Sequence, residues 1–166
     1  MLKFDARPTA DDSSTLIASI DEPFLTAYIE GLTLYYGPDG TGYLIASSQG
    51  DSTYVVFDRA GDNDYLGSFV IGPSGDIDGA QETDGIEVTN LALNDTFESG
   101  LFVVQDGSNE PQSVFQDPED GEIQNFNANF KLVPWDEIAK SFEPALIIDT
   151  ETFNPREIMP IDDFGG

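Results

Sequence analysis

Carboxylates crowd into one short stretch of this sequence, residues 75–87. The stretch has three glycines and no basic residue. Its acids are Asp76, Asp78, Glu82, Asp84 and Glu87. Like charges this close repel one another unless a cation lies among them. Hard oxygen ligands on a flexible loop suit calcium, which takes about six to eight oxygens at loose geometry. A solvated acidic turn would have the same composition, so the stretch alone leaves both interpretations open.

The whole chain is strongly acidic. Its 166 residues include 32 Asp and Glu against 6 Lys and Arg, a formal net charge of −26. Such a field repels nucleic acid and anionic membranes, because binding phosphate backbones requires Lys and Arg. It attracts cations, so the charge fits metal binding, life in high salt or plain solubility, which do not exclude one another. Aromatic content of 11% and hydrophobic content of 39% are typical of a folded chain with a core.

Two residue types are missing, which limits the possible chemistry. Without Cys there are no disulfides, no thiol catalysis and no Cys-ligated zinc. Without His there is no Ser-His or Cys-His nucleophile and no His-ligated zinc. Any catalysis must therefore use carboxylates, Lys, Arg, Tyr or a bound metal.

The elements that must position the acids are β-strands, because short alternating or apolar runs are separated by Gly, Pro and Asp turns. The predicted strands are residues 2–7, 15–20, 29–36, 42–49, 52–59, 65–71, 85–93, 100–105 and 128–134. Residues 110–127 are predicted as a long surface loop. One helical turn is predicted from residue 136, with Asp136 as its N-cap, and a last strand at residues 146–148.

A repeat of 54 residues divides these strands into units. Residues 30–32 (Glu-Gly-Leu) open one series of strands, and residues 84–86 (Asp-Gly-Ile) open the next. Repeated four-stranded meanders are typical of a β-propeller, whose blades bury their faces against one another. The innermost strands begin at Glu30 and Asp84, so both acids are expected near the central channel. A β-sandwich or a meander sheet that repeats by accident is the alternative.

The prediction is an all-β fold in which the chain covers roughly two to three propeller blades. Residues 1–22 are predicted as the last two strands of one blade and residues 28–72 as a complete blade. Residues 84–150 are predicted as a further blade that carries the long loop. Because a complete propeller needs about four blades or more, we expect a fragment of a larger protein.

With both acids placed, residues 29–135 resemble the β-propeller phytases, the calcium-dependent alkaline phytases of bacteria. The resemblance rests on the motifs EGLTLYY at 30–36, GYLIASSQG at 42–50, ETDGI at 82–86, VQDG at 104–107 and NFKLVPW at 129–135. It covers roughly two-thirds of the chain and corresponds to the C-terminal part of the family pattern. It implies a six-bladed propeller that binds several calcium ions and hydrolyses phytate through a metal-activated water.

The resemblance also implies a role for particular residues. Glu30 and Asp84 match catalytic carboxylates at the calcium cluster. A separate, stabilising calcium ion would be held by residues that match its ligands in the family: Asp78, Gly79, Asp106 and Asn109. The chain departs from the family pattern at two positions, where Tyr28 and Ser108 stand in place of acids. Fewer or weaker calcium sites are expected as a result.

The implied partners are phytate or its calcium salt, and either the missing N-terminal blades or a second copy packed against exposed blade edges. Nucleic acid and membranes are not expected partners. The resemblance implies a secreted or periplasmic protein, although the N-terminus is not a signal peptide and no apolar run reaches about 18 residues. A calcium-binding propeller module without catalysis is the alternative function, and none of the 6 basic residues lies in a recognisable phosphate motif.

Overall fold

The computed structural model describes residues 1–111, 114–116, 118–121, 123–125 and 127–152. The predicted all-β class is confirmed, because the described chain is built from antiparallel sheets with a single short α-helix. No helix in this part of the chain is long and apolar enough to cross a bilayer.

A two-stranded sheet of β1 (Leu2–Phe4) and β2 (Ser14–Leu16) comes first. Both strands are shorter than predicted. Strand β1 ends after Phe4 because the Asp5 side chain accepts a hydrogen bond from the backbone nitrogen of Arg7, at 3.0 Å. A side chain that bonds the backbone two residues on makes a turn and competes with the strand ladder.

The central unit is a four-stranded antiparallel sheet with its strands in chain order. The strands are β3 (Ile29–Tyr36), β4 (Gly42–Ser48), β5 (Thr53–Asp58) and β6 (Tyr65–Phe69). Short 3-10 turns at Pro38–Gly40 and Gln49–Asp51 make two of the connections. This meander is the unit from which propellers are built.

The next unit is a three-stranded sheet with the order β11-β8-β7. Its strands are β7 (Ile86–Thr89), β8 (Leu101–Asp106) and β11 (Asn129–Pro134). Residues 110–127 were predicted as loop, and within them the structure has a hairpin of β9 (Val114–Gln116) and β10 (Ile123–Asn125). The loop prediction is therefore wrong for these strands, which carry β-forming Val, Phe and Ile.

The helix α1 (Trp135–Lys140) begins one residue earlier than predicted. Pro134 holds the N-cap position and makes no side-chain cap, so the predicted cap at Asp136 is wrong. Asp136 lies in the first turn, where its carboxylate accepts a hydrogen bond from Lys140 at 2.6 Å. An acid in the first turn and a base in the last also suit the helix dipole.

No strand forms at residues 146–148, where one was predicted. Aromatic side chains take the backbone groups that a strand partner would need. The Ile147 nitrogen donates to the hydroxyl of Tyr43 at 2.8 Å, and the indole nitrogen of Trp135 donates to the Ile147 carbonyl at 2.9 Å. The tail is thereby attached to the core without joining a sheet.

The core lies on both faces of the central sheet. Tyr54 and Val56 of β5 face the three-stranded sheet, whereas Val55 and Phe57 face the segment before β3. All four are almost fully buried, which is expected for a strand covered on both sides. Phe102 joins the sheets, with its ring 5.5 Å from that of Tyr54 in an edge-to-face contact.

Candidate functional site

The inner strands β3 and β7 lie side by side, and the residues in contact are the ones related by the repeat. Thr33 donates a hydrogen bond from its hydroxyl to Glu87, 54 residues on, at 2.7 Å. The amide of Asn90 donates to the carbonyl of Tyr36, again 54 residues apart, at 3.1 Å. Glu30 and Asp84 are related by the same spacing of 54 residues, Glu30 as the second residue of β3 and Asp84 two residues before β7.

Gly31 brings the strand starts together. An ideal Cβ at this position would lie 2.9 Å from the backbone nitrogen of Ile86 and 3.3 Å from the carbonyl oxygen of Asp84. Only a residue without a side chain allows so close an approach. The Gly31 nitrogen donates to the buried hydroxyl of Ser47 at 2.8 Å, which secures this end of β3 to β4.

Glu30 lies at an irregularity in β3. The pairing of β3 with β4 shifts between Ile29 and Leu32, so an extra residue is accommodated in β3. Such bulges re-aim side chains and are frequent beside active sites. The Glu30 side chain is exposed, and its carboxylate makes no hydrogen bond or ion pair with the residues that the structure describes.

Two glutamines hold Asp84. The side-chain nitrogen of Gln49 donates to Asp84 Oδ1, and the Asp84 backbone nitrogen donates to Gln105 Oε1 at 2.8 Å. Asp84 lines an open cavity of about 610 Å³ together with both glutamines, Glu82 and Tyr28. At residue 28, where the resemblance predicts an acid, the exposed phenol of Tyr28 lines this same cavity. We call the cavity, lined by Tyr28, Gln49, Glu82, Asp84 and Gln105, the acidic mouth.

The second predicted set of ligands gathers around an ammonium group. The Lys131 nitrogen is 2.7 Å from Asn109 Oδ1 and 3.1 Å from Asp106 Oδ2, and it forms an ion pair with Asp78. Asp106 is fully buried and Lys131 is 7% exposed. Three of the four predicted ligands therefore do meet in space, around a cation that belongs to the chain.

Burial lowers the pKa of the Lys131 ammonium, but its contacts with Asp78 and Asp106 outweigh burial, so the pKa lies above its ordinary value. The hydrogen bond from Lys131 and another from the Glu110 nitrogen hold the pKa of Asp78 below its ordinary value. Both groups are charged at neutral pH, and the cluster is a buried salt-bridge network.

Gly79, the fourth predicted ligand, has a packing role in the structure. An ideal Cβ there would lie 2.5 Å from the carbonyl oxygen of Ile71, and the next residue, Ala80, donates its backbone nitrogen to that same oxygen at 3.0 Å. A glycine is needed for this close approach of two backbones.

The described carboxylates do not make a complete metal site on their own. Among the described residues, no group of three or more Asp and Glu side chains is placed to hold a metal ion unaided. The exposed carboxylates of Glu30 and Asp84 are hard oxygen ligands of the type calcium prefers, so they fit as two members of a larger set. The Asp78 set fits calcium poorly, because an ammonium group already lies among its oxygens.

The basic side chains that the structure describes are all engaged away from this mouth. Lys3 bonds Asn63 and the Gly61 carbonyl, Arg7 bonds Asp5, Arg59 bonds the Gly40 and Thr41 carbonyls, Lys131 bonds the cluster above, and Lys140 bonds Asp136. Arg156 lies outside the described residues. Within the described chain, then, no base is placed to hold a phosphate beside Glu30 and Asp84.

Sequence reasoning missed Gln49, Gln105 and Lys131 as parts of these clusters. The two glutamines end the second predicted strand of each repeat unit, residues 42–49 and 100–105, so the repeat itself carried the signal that both lie at the same end of the sheets. Lys131 carried no comparable signal, because its partner Asp78 is 53 residues away.

The fold and the acidic mouth define part of a β-propeller with carboxylates at the starts of its inner strands. The family model for Phytase matches residues 1–160. A 3-phytase from Bacillus subtilis (strain 168) is 37% identical over 161 residues, which is 97% of this chain and 39% of that protein. The chain therefore belongs to the phytase family, as the sequence motifs predicted. It spans 39% of the length of this relative.

Proposed function

We propose that this chain is the C-terminal portion of a calcium-dependent phytase, which hydrolyses the phosphate monoesters of phytate. The observation that carries the proposal is the close approach of Gly31, the neighbour of Glu30, to the backbone of Asp84 and Ile86 in a chain of the phytase family. The relative with 37% identity is itself a 3-phytase.

Glu30 and Asp84 are the proposed catalytic residues and calcium ligands. Calcium bound there supplies positive charge that attracts a phosphate group and lowers the pKa of a water molecule. Asp84 is held by Gln49 on one carboxylate oxygen, which leaves the other oxygen without a hydrogen bond among the described residues. The Glu30 carboxylate makes no hydrogen bond with the described residues, so both acids have oxygen atoms free to bind a cation.

The proposal requires ligands and bases beyond the residues that the structure describes. Two carboxylates do not fill the coordination of calcium, which takes about six to eight oxygens. All five described basic side chains are bonded to other groups of the chain. We therefore propose that the basic side chains that bind phytate lie elsewhere in the protein. A relative of which this chain spans only 39% has ample length to supply both.

Exposed apolar residues on the outer sheets support packing against further blades. Phe130 and Leu132 of β11 are 66% and 57% exposed, and Leu2 and Leu16 of the first sheet are 56% and 62% exposed. Exposed apolar side chains grouped on a sheet in this way are typical of an interface. We propose that further blades of the same protein cover it, and that a second copy does so when those blades are absent. Membership of the phytase family also supports the proposal that the protein is secreted or periplasmic.

The experiment measures phosphate release from calcium phytate by the whole natural protein that carries this chain. Glu30→Gln and Asp84→Asn each remove one proposed calcium ligand, and we expect each to lower kcat by at least about 100-fold, the scale of a lost metal-site or charge-stabilising group. Glu98→Gln is the matched control, because it removes the same charge from an exposed acid outside the site. It is expected to keep the natural rate.

Natural rates in both Glu30→Gln and Asp84→Asn would contradict the assignment of these residues. Calcium binding without phosphate release by the natural protein would favour the alternative, a calcium-binding propeller module that performs no catalysis. A natural turnover rate by the 166-residue chain alone would contradict the need for further blades.

A further inference from the structure

The cluster of Asp78, Asp106 and Asn109 is organised around Lys131, a residue of β11 to which the sequence motifs gave no role. Its ammonium group has three N–H donors. Three oxygens from two segments, the connection before β7 and the end of β8, surround it: Asp78 Oδ1, Asp106 Oδ2 at 3.1 Å and Asn109 Oδ1 at 2.7 Å. The ammonium donates hydrogen bonds to Asp78 and Asn109, and it lies within ion-pair distance of Asp106.

The remaining atoms of the cluster hold these oxygens in place. Asp106 Oδ1 accepts hydrogen bonds from the backbone nitrogens of Gln81 and Ser108, at 3.0 and 3.2 Å. Asp78 Oδ2 accepts one from the Glu110 nitrogen at 2.7 Å. Each carboxylate therefore gives one oxygen to the backbone and turns the other toward Lys131.

Asp106 shows how much depends on the ammonium. Its side chain is fully buried, and its Oδ2 receives no well-directed hydrogen bond from any described residue. The charge of Lys131 at 3.1 Å is what compensates this oxygen. A buried carboxylate oxygen without such compensation is strongly unfavourable.

We propose that Lys131 is the resident cation of this cluster, so that Asp78, Asp106 and Asn109 hold an ammonium group in place of calcium. A calcium ion at bonding distance from the same oxygens would lie against a like charge in a buried place, so the two cations exclude each other. The cluster joins β11 to the connection before β7 and to the end of β8. The inference does not rest on the proposed function, because its readouts are unfolding and ion binding.

The first test compares thermal unfolding of the natural protein with Lys131→Met and Lys140→Met in calcium-free buffer. Methionine keeps the apolar stem and removes the charge. We expect Lys131→Met to lower the melting temperature by at least about 6 °C, because it leaves the carboxylates of Asp78 and Asp106 without their cation. Lys140→Met is the matched control: it breaks an exposed ion pair with Asp136 and should shift the melting temperature by no more than about 2 °C. Equal, small shifts for both variants would overturn the proposal.

The second test uses calcium as the probe and does not depend on the survival of Lys131→Met. Calorimetric titration at physiological ionic strength counts the calcium ions bound by the natural protein and by Asp78→Asn, whose side chain is 25% exposed. We expect the same number for both, because Asp78 binds Lys131. The loss of one calcium ion in Asp78→Asn would overturn the proposal. Restoration of the melting temperature of Lys131→Met by calcium would support it, because the emptied cluster would then bind the metal by mass action.

Discussion

Replacing Gly31 with alanine tests whether β3 and β7 must touch for Glu30 and Asp84 to act together. The added Cβ would lie 2.9 Å from the backbone nitrogen of Ile86 and 3.3 Å from the Asp84 carbonyl oxygen. Because backbone atoms cannot turn aside as a flexible side chain does, β7 must shift. Overpacking of this kind costs about 1–3 kcal/mol. In a chain of this size, each kcal/mol lowers the melting temperature by about 2–4 °C.

The assay combines thermal unfolding with phosphate release from calcium phytate by the whole natural protein. A catalytic group displaced by about 1 Å costs up to about 100-fold in rate. We therefore expect Gly31→Ala to lower kcat by more than its loss of folded protein explains. Gly72→Ala is the matched control, since nothing lies within 4 Å of its Cβ position. It should leave stability unchanged or slightly raised. Indistinguishable stability and rate in the two variants would refute the close-contact argument.

Two further predictions concern the core. Phe102→Ala removes the ring contacts with Tyr54 and Phe69 that join the two sheets. We expect the free energy of unfolding, measured in urea, to fall by about 3–5 kcal/mol. A fall below about 1 kcal/mol would mean that the sheets do not share this core. Burial raises the pKa of Tyr54 to about 12 from an ordinary value of 10.0. Its contribution to stability is complete below pH 10, and it declines as pH rises toward 12 because the unfolded chain loses the proton first. Tyr54→Phe should reduce this alkaline loss in a pH series of unfolding measurements, and an unchanged slope would contradict it.

The strands of the central sheet could be predicted from the sequence because their signals are local. Residues 29–36 alternate between buried and exposed positions, and Gly-Pro-Asp-Gly marks the turn that follows. The 54-residue repeat then predicted which acids begin the inner strands, and the same spacing recurs in the contact of Thr33 with Glu87. Both the alternation of residue types along a strand and the 54-residue repeat can be recognised in the sequence alone.

The parts that could not be predicted depend on contacts between distant residues. The ion pair of Lys131 with Asp78 spans 53 residues, and nothing local to either one points to the other. The tail likewise contains a strand-like apolar run, but the Asp149 backbone bonds the phenol of Tyr35, 114 residues away, and residues 146–148 form no strand. The hairpin of β9 and β10 was missed because its polar flanks resemble a surface loop.

The calcium requirement of phosphate release tests the central claim most directly. The measurement follows phytate hydrolysis by the whole natural protein as calcium is removed with a chelator and returned in steps, for the natural sequence and for Asp84→Asn. The account predicts no release without calcium, full recovery on its return, and a higher calcium concentration at half-maximal rate for Asp84→Asn. A full rate in chelator, or the same calcium requirement in both proteins, would contradict it.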